Sequence, residues 1–358
     1  MTALRGSFRV LVLFDVAEQI DLAKLRELIG SREQPARGPS FKHPSPEYVR
    51  FERPPVVEYP APITLSSGEP FQCRIKYFDY GVVSVELERP FETDWEELVR
   101  VSSHWISATE MERATAELTK TRLGALSAAL VQPYEAWLSE DYYVIQLNAN
   151  TVTAAELLAT RGSEIAQIVR GEARPLSDAE RGEALQASLS YYPNDLLVAG
   201  WVAAFVYDAP DGAEPTIQLL EYANTQLLEF RHYDEALTAV LSRVYKQVDR
   251  TGLLRRWRMA SEARHLNSMR LDVTELTERM DNSIKFLSDM FYARAYRMAA
   301  ARVGVPDYRM LVERKLRTAG ELYEFMMGEF YRARSFVLEA MVVAILVIEL
   351  VHLFRGGI

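Results

Sequence analysis

The chain has 358 residues, with 41 lysines and arginines against 50 aspartates and glutamates, for a formal net charge of −9. That length supports more than one domain with its own core, and the acidic balance argues against a general DNA or RNA binder while leaving room for a local basic site. The single cysteine, Cys73, excludes an internal disulfide and the usual cysteine zinc clusters, so the bulk of the chain suits a reducing compartment.

Ser7 to Val16 has the Val, Leu and Phe content of a buried strand, and Asp21 stands where a cap would open a short helix reaching Ile29. Ser31 to Pro46 is rich in Pro, Gly, Ser and charge and reads as a loop. Tyr48 to Glu58, Phe71 to Asp79 and Gly81 to Glu88 read as strands, the last two joined by a tight Asp79-Tyr80-Gly81 turn. Asp94 begins a helix to about Ile106, and a longer one follows from Ala108 to about Leu130. Tyr142 to Leu147 reads as a strand, Ala154 to Val169 and Ser177 to Leu189 as helices, and Leu196 to Tyr207 as one apolar strand. The order predicts an α+β head over 1–207, an α/β sandwich with helices on one face of an antiparallel sheet. Asp208 to Pro215, with two prolines and a glycine, reads as a linker.

Beyond Pro215 the apolar period becomes heptad. Leu220, Ala223, Leu227, Phe230, Leu237, Leu241, Val244 and Val248 share one stripe, interrupted by Asp234. A second stripe runs from Leu266 to Phe291 and is closed by Gly304-Val305-Pro306-Asp307. The third runs from Val312 to Val337 without a breaker. Residues 216–335 are therefore predicted as a stalk, a long antiparallel bundle of three helices.

The chain closes with Phe336 to Phe354, read as a transmembrane anchor. Nineteen residues are near the length a bilayer requires, interrupted by Glu339, Glu349 and His352. Thirteen Val, Leu, Ile and Phe side chains contribute roughly −4 to −8 kcal/mol to insertion, and a carboxylate near the bilayer centre costs about 2.5 to 3.5. Glu349 and His352 share one helix face, a polar stripe inside the membrane suited to a partner helix. Met1 to Phe14 lacks the long apolar core of a signal peptide. Arg314, Lys315, Arg317, Arg332 and Arg334 precede the span while Arg355 follows it, which predicts C-terminal anchoring with the bulk of the chain cytoplasmic.

An antiparallel fold-back at Val305 and Pro306 sets Met341 opposite Arg270. The basic stretch Arg250 to Arg270 then lies near the lipid surface. Arg255, Arg256, Trp257, Arg258, Arg264 and Arg270 form a candidate membrane-interface collar for anionic headgroups. Solvated connector and RNA contact are the competing readings. Arg231, Asp234 and Asn282 form a candidate polar layer across the bundle, with Arg231 as the simplest partner for Asp234. There is no Gly-rich phosphate loop, G-x-S-x-G or H-E-x-x-H, and the five histidines have no metal-ligand spacing. No catalytic, cofactor or metal residue is therefore assigned. Glu229 to Glu235 is the densest polar motif; it could supply an acid and a base, or be a charged helix surface.

The pairs Leu266-Asn267 and Leu338-Glu339, the triplets Leu271-Asp272-Val273 and Ile348-Glu349-Leu350, and the strand turn Phe78-Asp79-Tyr80-Gly81-Val82-Val83 resemble the required-for-meiotic-nuclear-division family of membrane proteins. The resemblance implies a membrane-anchored, non-enzymatic factor; the family's mitochondrial member supports translation at the inner membrane. The leading expectation is a scaffold or tether whose partners are the lipid bilayer, a second copy of the chain, or a protein or ribosome, with no DNA. An enzyme at the membrane surface with a cryptic site in the head is the alternative, and a ribosome- or RNA-associated factor the third.

Overall fold

The computed structural model describes residues 3–30, 54–65, 68–248, 264, 266–271, 273–274 and 290–355. Its elements are β1 (Leu4–Ile20), α1 (Leu22–Ile29), β2 (Val56–Glu58), β3 (Ile63–Thr64), β4 (Pro70–Tyr77), β5 (Val82–Thr93), α2 (Trp95–Ile106), α3 (Glu110–Leu126), β6 (Leu130–Asn148), α4 (Ala154–Arg170), α5 (Asp178–Gln186), β7 (Ser188–Leu189), β8 (Leu196–Ala199), β9 (Ala203–Asp208), α6 (Pro210–Val248), α7 (Met290–Val303) and α8 (Val305–Arg355). The α+β class follows: a mixed sheet first, long helices after.

The chain divides into two compact units, Met1–His232 with Arg279–Tyr308, and Tyr233–Glu278 with Arg309–Ile358. In the first, the sheet order is β2-β4-β5-β1-β6-β9-β8-β7, with β3 pairing β4. All pairings are antiparallel except β6 with β9, whose connection runs through α4, α5 and the short strands. Alternation along β1 sorts its side chains between two faces. Phe8, Val10, Val12 and Phe14 join the large apolar core with Trp105 of α2, Leu123 of α3 and Ile165 and Ile168 of α4. Arg9, Leu11, Leu13 and Asp15 alternate with them and are equally buried.

Local signals place the helices. Asp21 accepts hydrogen bonds from the Ala23 and Lys24 amides, and Asp94 accepts one from Glu97. Thr153 and Glu156 form a reciprocal capping box at α4. The β4–β5 turn closes through Phe78 N to Val82 O at 2.9 Å, and Gly81 holds φ +97° with the carbonyl of Ala17 where a Cβ would stand.

Several expectations are corrected. β6 begins at Leu130, twelve residues before the expected Tyr142, because β1 runs on past a register shift between Asp15 and Ala17 and pairs with it. Leu196 to Tyr207 is two strands, β8 and β9, which pair antiparallel about the turn at Gly200. The expected linker Asp208 to Pro215 closes β9 and opens α6, with Pro210 at the first helical position, where a missing amide hydrogen removes little, and Pro215 inside the helix. The helix from there is packed rather than solvated: residues 219–230 are all buried. α7 lies in the same unit, with Tyr296 donating to Gln226 and Tyr222 5.9 Å from the Tyr296 ring, so the first unit extends beyond the expected boundary at 208–215.

In the second unit, Val240, Leu241 and Val244 of α6 form a small apolar cluster with Leu266, Ala319 and Met326. Gly304, at φ +91°, separates α7 from α8, as its position before Val305-Pro306 leads one to expect. α8 runs 51 residues, about 76 Å at 1.5 Å per residue. The loop at Ser31 to Pro46, the start of the strand at Tyr48 and most of the second heptad stripe, Leu276 to Leu287, lie outside the described residues.

Candidate functional site

Two features of the first unit and one of the second carry chemistry. The first is a sealed layer of charge between the sheet and α6. Register places Arg74 beside Glu86 and Lys76 beside Ser84, with β1 continuing the rows through Leu11 and Leu13. α6 lays Glu214, Glu221, Thr225, Glu229 and His232 over them, steps of seven, four, four and three that share one helix face. Arg9 Nη1 donates to Glu86 at 3.0 Å and to Glu214 at 2.7 Å. Arg74 donates to Glu86 through Nε at 2.9 Å and to Glu214 at 2.9 Å, Lys76 pairs with Glu221, and the Ser84 hydroxyl donates to Glu221 at 2.6 Å. Arg9 also pairs with Glu88 at 3.1 Å, so three buried or part-buried cations share four carboxylates. Burial alone would raise the Glu86 carboxyl, but Arg74, Lys76 and Arg9 together hold it at about 2. Burial lifts the lone Cys73 thiol to about 12, so it is no nucleophile at neutral pH.

The same seam ends in an acidic pair. Asp15 Oδ2 lies 2.7 Å from His232 Nδ1, and that imidazole stacks on Tyr134 with ring centroids 4.6 Å apart. Glu229 is buried beside it with Oε1 unbonded, and burial together with the Asp15 charge pushes its carboxyl well above the usual range. Tyr80, whose hydroxyl donates to Thr225 at 2.9 Å, completes this end. Burial raises the Asp15 carboxyl too, with the His232 contact opposing it, so the two neighbouring carboxyls together favour holding a proton. A carboxyl raised on folding stabilises fully below its unfolded value near pH ~4.3. That contribution is lost as pH rises toward the folded value. Glu229→Gln is therefore expected to be at least as stable as the parent near pH 4 and more stable at pH 7 and above. Denaturation midpoints of both proteins across that range check it; a variant less stable at neutral pH would show that the carboxylate is ionised and paired.

The second feature is a cleft of about 910 Å³ between α2 and α4, beyond the carboxyl ends of the parallel strands β6 and β9. Leu4, Val99, Leu147 and Leu157 supply apolar wall, and Asn150, Thr160, Ser163 and Gln167 supply polar groups. Trp95 packs on Phe205 and carries the Arg161 guanidinium 5.8 Å above its ring centroid; Arg161 also pairs with Glu164 at 2.7 Å. No histidine or cysteine lines this cleft.

The third feature is the apolar end of α8. It is the single helix among the described residues long and apolar enough to cross a membrane, and none of its apolar window is buried. Leu353 and Phe354 are 74% exposed. Glu349 and His352 lie on it, both exposed.

The other sequence-derived residues are placed as follows. Arg255, Arg256, Trp257 and Arg258 lie outside the described residues, as does Asn282; Arg264 and Arg270 are exposed. Arg231 is not the partner of Asp234: it pairs with Glu140. Asp234 instead meets Lys315 at 2.6 Å, because Lys315 of α8 reaches the same turn of α6 and also donates to its carbonyl. The charge layer was missed by sequence reading, although Arg9 and Asp15, an even number of residues apart in an otherwise apolar strand, were its visible signal.

Among known proteins, uncharacterized protein MJ0711 of Methanocaldococcus jannaschii is 18% identical over 190 residues, covering 53% of this chain and 58% of that protein. The chain thus spans somewhat over half the length of this relative. No solved structure matches. These findings lend no support to the resemblance to the required-for-meiotic-nuclear-division family. A family model described as the N-terminal domain of uncharacterized protein MJ0711 matches residues 5–214, from the start of β1 into the first turns of α6, and the chain belongs to that family.

Proposed function

We propose that the protein is a membrane-anchored scaffold or tether, in which the segment Phe336–Phe354 enters a bilayer and the α+β head acts in the adjoining aqueous phase. The observation that carries this reading is the apolar end of α8, none of whose apolar window is buried among the described residues. A contiguous apolar surface of this kind in water favours aggregation or insertion. Nineteen residues span about 28 Å, close to the hydrocarbon thickness. The excess of Arg and Lys before the segment supports a cytoplasmic head, and Arg264 and Arg270 are exposed for anionic headgroups. Glu349 and His352 suit a partner helix within the bilayer, including one from a second copy; a protein or ribosome partner for the head belongs to the same reading.

A second reading, an enzyme at the membrane surface, draws on the cleft between α2 and α4. That cleft lacks histidine and cysteine, so it offers neither the usual general base nor a thiol nucleophile, and the tether stands first. Proximity labelling from the head in cells, comparing the full chain with a form lacking 336–354, tests it. The tether predicts that membrane neighbours vanish from the labelled set on deletion; an unchanged set would remove the segment from the mechanism.

A further inference from the structure

We propose that the cleft between α2 and α4 is a binding site for a small planar heteroaromatic molecule of nucleoside size, taken up with its ring between Trp95 and Arg161. The position comes first. The cleft opens beyond the carboxyl ends of β6 and β9, where the crossover from β6 into α4 leaves a crevice; in sheets with parallel strands this is the favoured place for ligands. Its volume of about 910 Å³ falls in the range of small-molecule sites.

The slot itself indicates the chemistry. The Trp95 ring lies tilted against the Phe205 ring, centroids 6.0 Å apart, and Trp95 lines the cleft. Arg161 holds its guanidinium 5.8 Å over the Trp95 ring, farther than direct contact requires. An interposed aromatic ring needs two contact distances, about 7 Å in all. An outward shift of Arg161 of little more than 1 Å on its flexible stem would therefore admit a ring, which would then be stacked on tryptophan below and guanidinium above. Arg161 is already neutralised by Glu164, so the slot favours an uncharged ring over an anion. Thr160, Ser163, Asn150 and Gln167 line the same cleft with hydroxyl and amide groups, the chemistry that matches the polar edge of a heterocycle. The loop bearing Asn150 is pinned, since the Tyr207 hydroxyl accepts from the Asn150 amide and donates to its side chain, at 2.9 Å each. The site is therefore built in advance of its ligand.

This inference is independent of membrane anchoring. Its test uses the full chain in lipid nanodiscs, titrated with adenosine, guanosine and cytidine, with ribose as the ring-free control, followed by saturation-transfer NMR and calorimetry. Saturable binding of at least one nucleoside and none of ribose is expected. Trp95→Leu should weaken it about tenfold, the loss of one aromatic stack, and Trp95→Phe should restore most of it. Because Trp95 also packs on Phe205, a second variant guards against misfolding: Thr160→Phe, at an exposed helix position, fills the cleft without entering the core and should abolish binding. No saturable binding by any of the three nucleosides, equal binding of ribose, or binding unchanged in folded Trp95→Leu and Thr160→Phe proteins would each overturn the proposal.

Discussion

Ile345→Arg is expected to strip the protein from membranes. Ile345 stands near the centre of Phe336–Phe354, inside the run Ala340 to Ile348 that has no ionisable side chain. The exchange forfeits about 0.5 kcal/mol of apolar insertion energy and adds about 2.5 to 3.5, two to three orders of magnitude in partitioning. The segment has little reserve against that, since Glu339 and Glu349 already offset its thirteen strongly apolar side chains. Alkaline extraction followed by flotation would read the change, with Ile345→Leu as the silent control. Retention of the arginine variant in the extracted membrane would leave the anchor without its hydrophobic basis.

Glu86→Gln should be the most damaging polar exchange in the head, at about 3 to 5 kcal/mol, the usual loss when one partner leaves a buried charge network. Glu86 is 2% exposed and touches Arg9, Arg74 and Lys76, so neutralising it leaves three cations to Glu214, Glu221 and the more exposed Glu88. Burial opposes the charged form, but the cations prevail and hold the folded carboxyl at about 2, below an unfolded value near ~4.3. Its contribution is therefore present above the unfolded value and lost only as pH falls toward 2. Denaturant unfolding of the detergent-solubilised chain measures the variant at neutral pH. Arg5→Ala, which removes the exposed pair with Glu92, should cost under about 1 kcal/mol in the same assay. Equal losses from the two variants would mean that the layer is hydrated.

Local chemistry was readable in the chain and cross-strand consequence was not. Asp21, Asp94 and the Gly304-Val305-Pro306 break mark their helix ends because each acts within a few residues. The first half of β6, with Pro133 and mostly exposed side chains, has little strand character of its own; it is a strand because the end of β1 supplies partners from Ala17 to Ile20. β8 and β9 merged in the reading because both are apolar, and the turn between them rests on Gly200, whose Cβ position is filled by Val169. In α6 the heptad count found Leu220, Ala223, Leu227 and Phe230 and assigned no partner to the opposite face. That face is buried too, and Glu214 and Glu221 on it have partners on strands about 140 residues earlier in the chain, a separation that helical periodicity does not register. The cleft was illegible for a related reason: Trp95 and Arg161 come from different helices and meet only once both are docked on the sheet.

The segment shared with the family ends at residue 214, and the charge layer does not. Of the acidic residues that α6 lays on the sheet, only Glu214 falls inside the shared segment; Glu221, Glu229 and the imidazole of His232 follow it. A fragment cut at that boundary would keep Lys76 and Asp15 but lose the groups that answer them, and would bare Leu11 and Leu13 to water. The boundary of the family match thus falls inside the folding unit, and a fragment meant to keep this sheet closed must run on through α6 at least to His232.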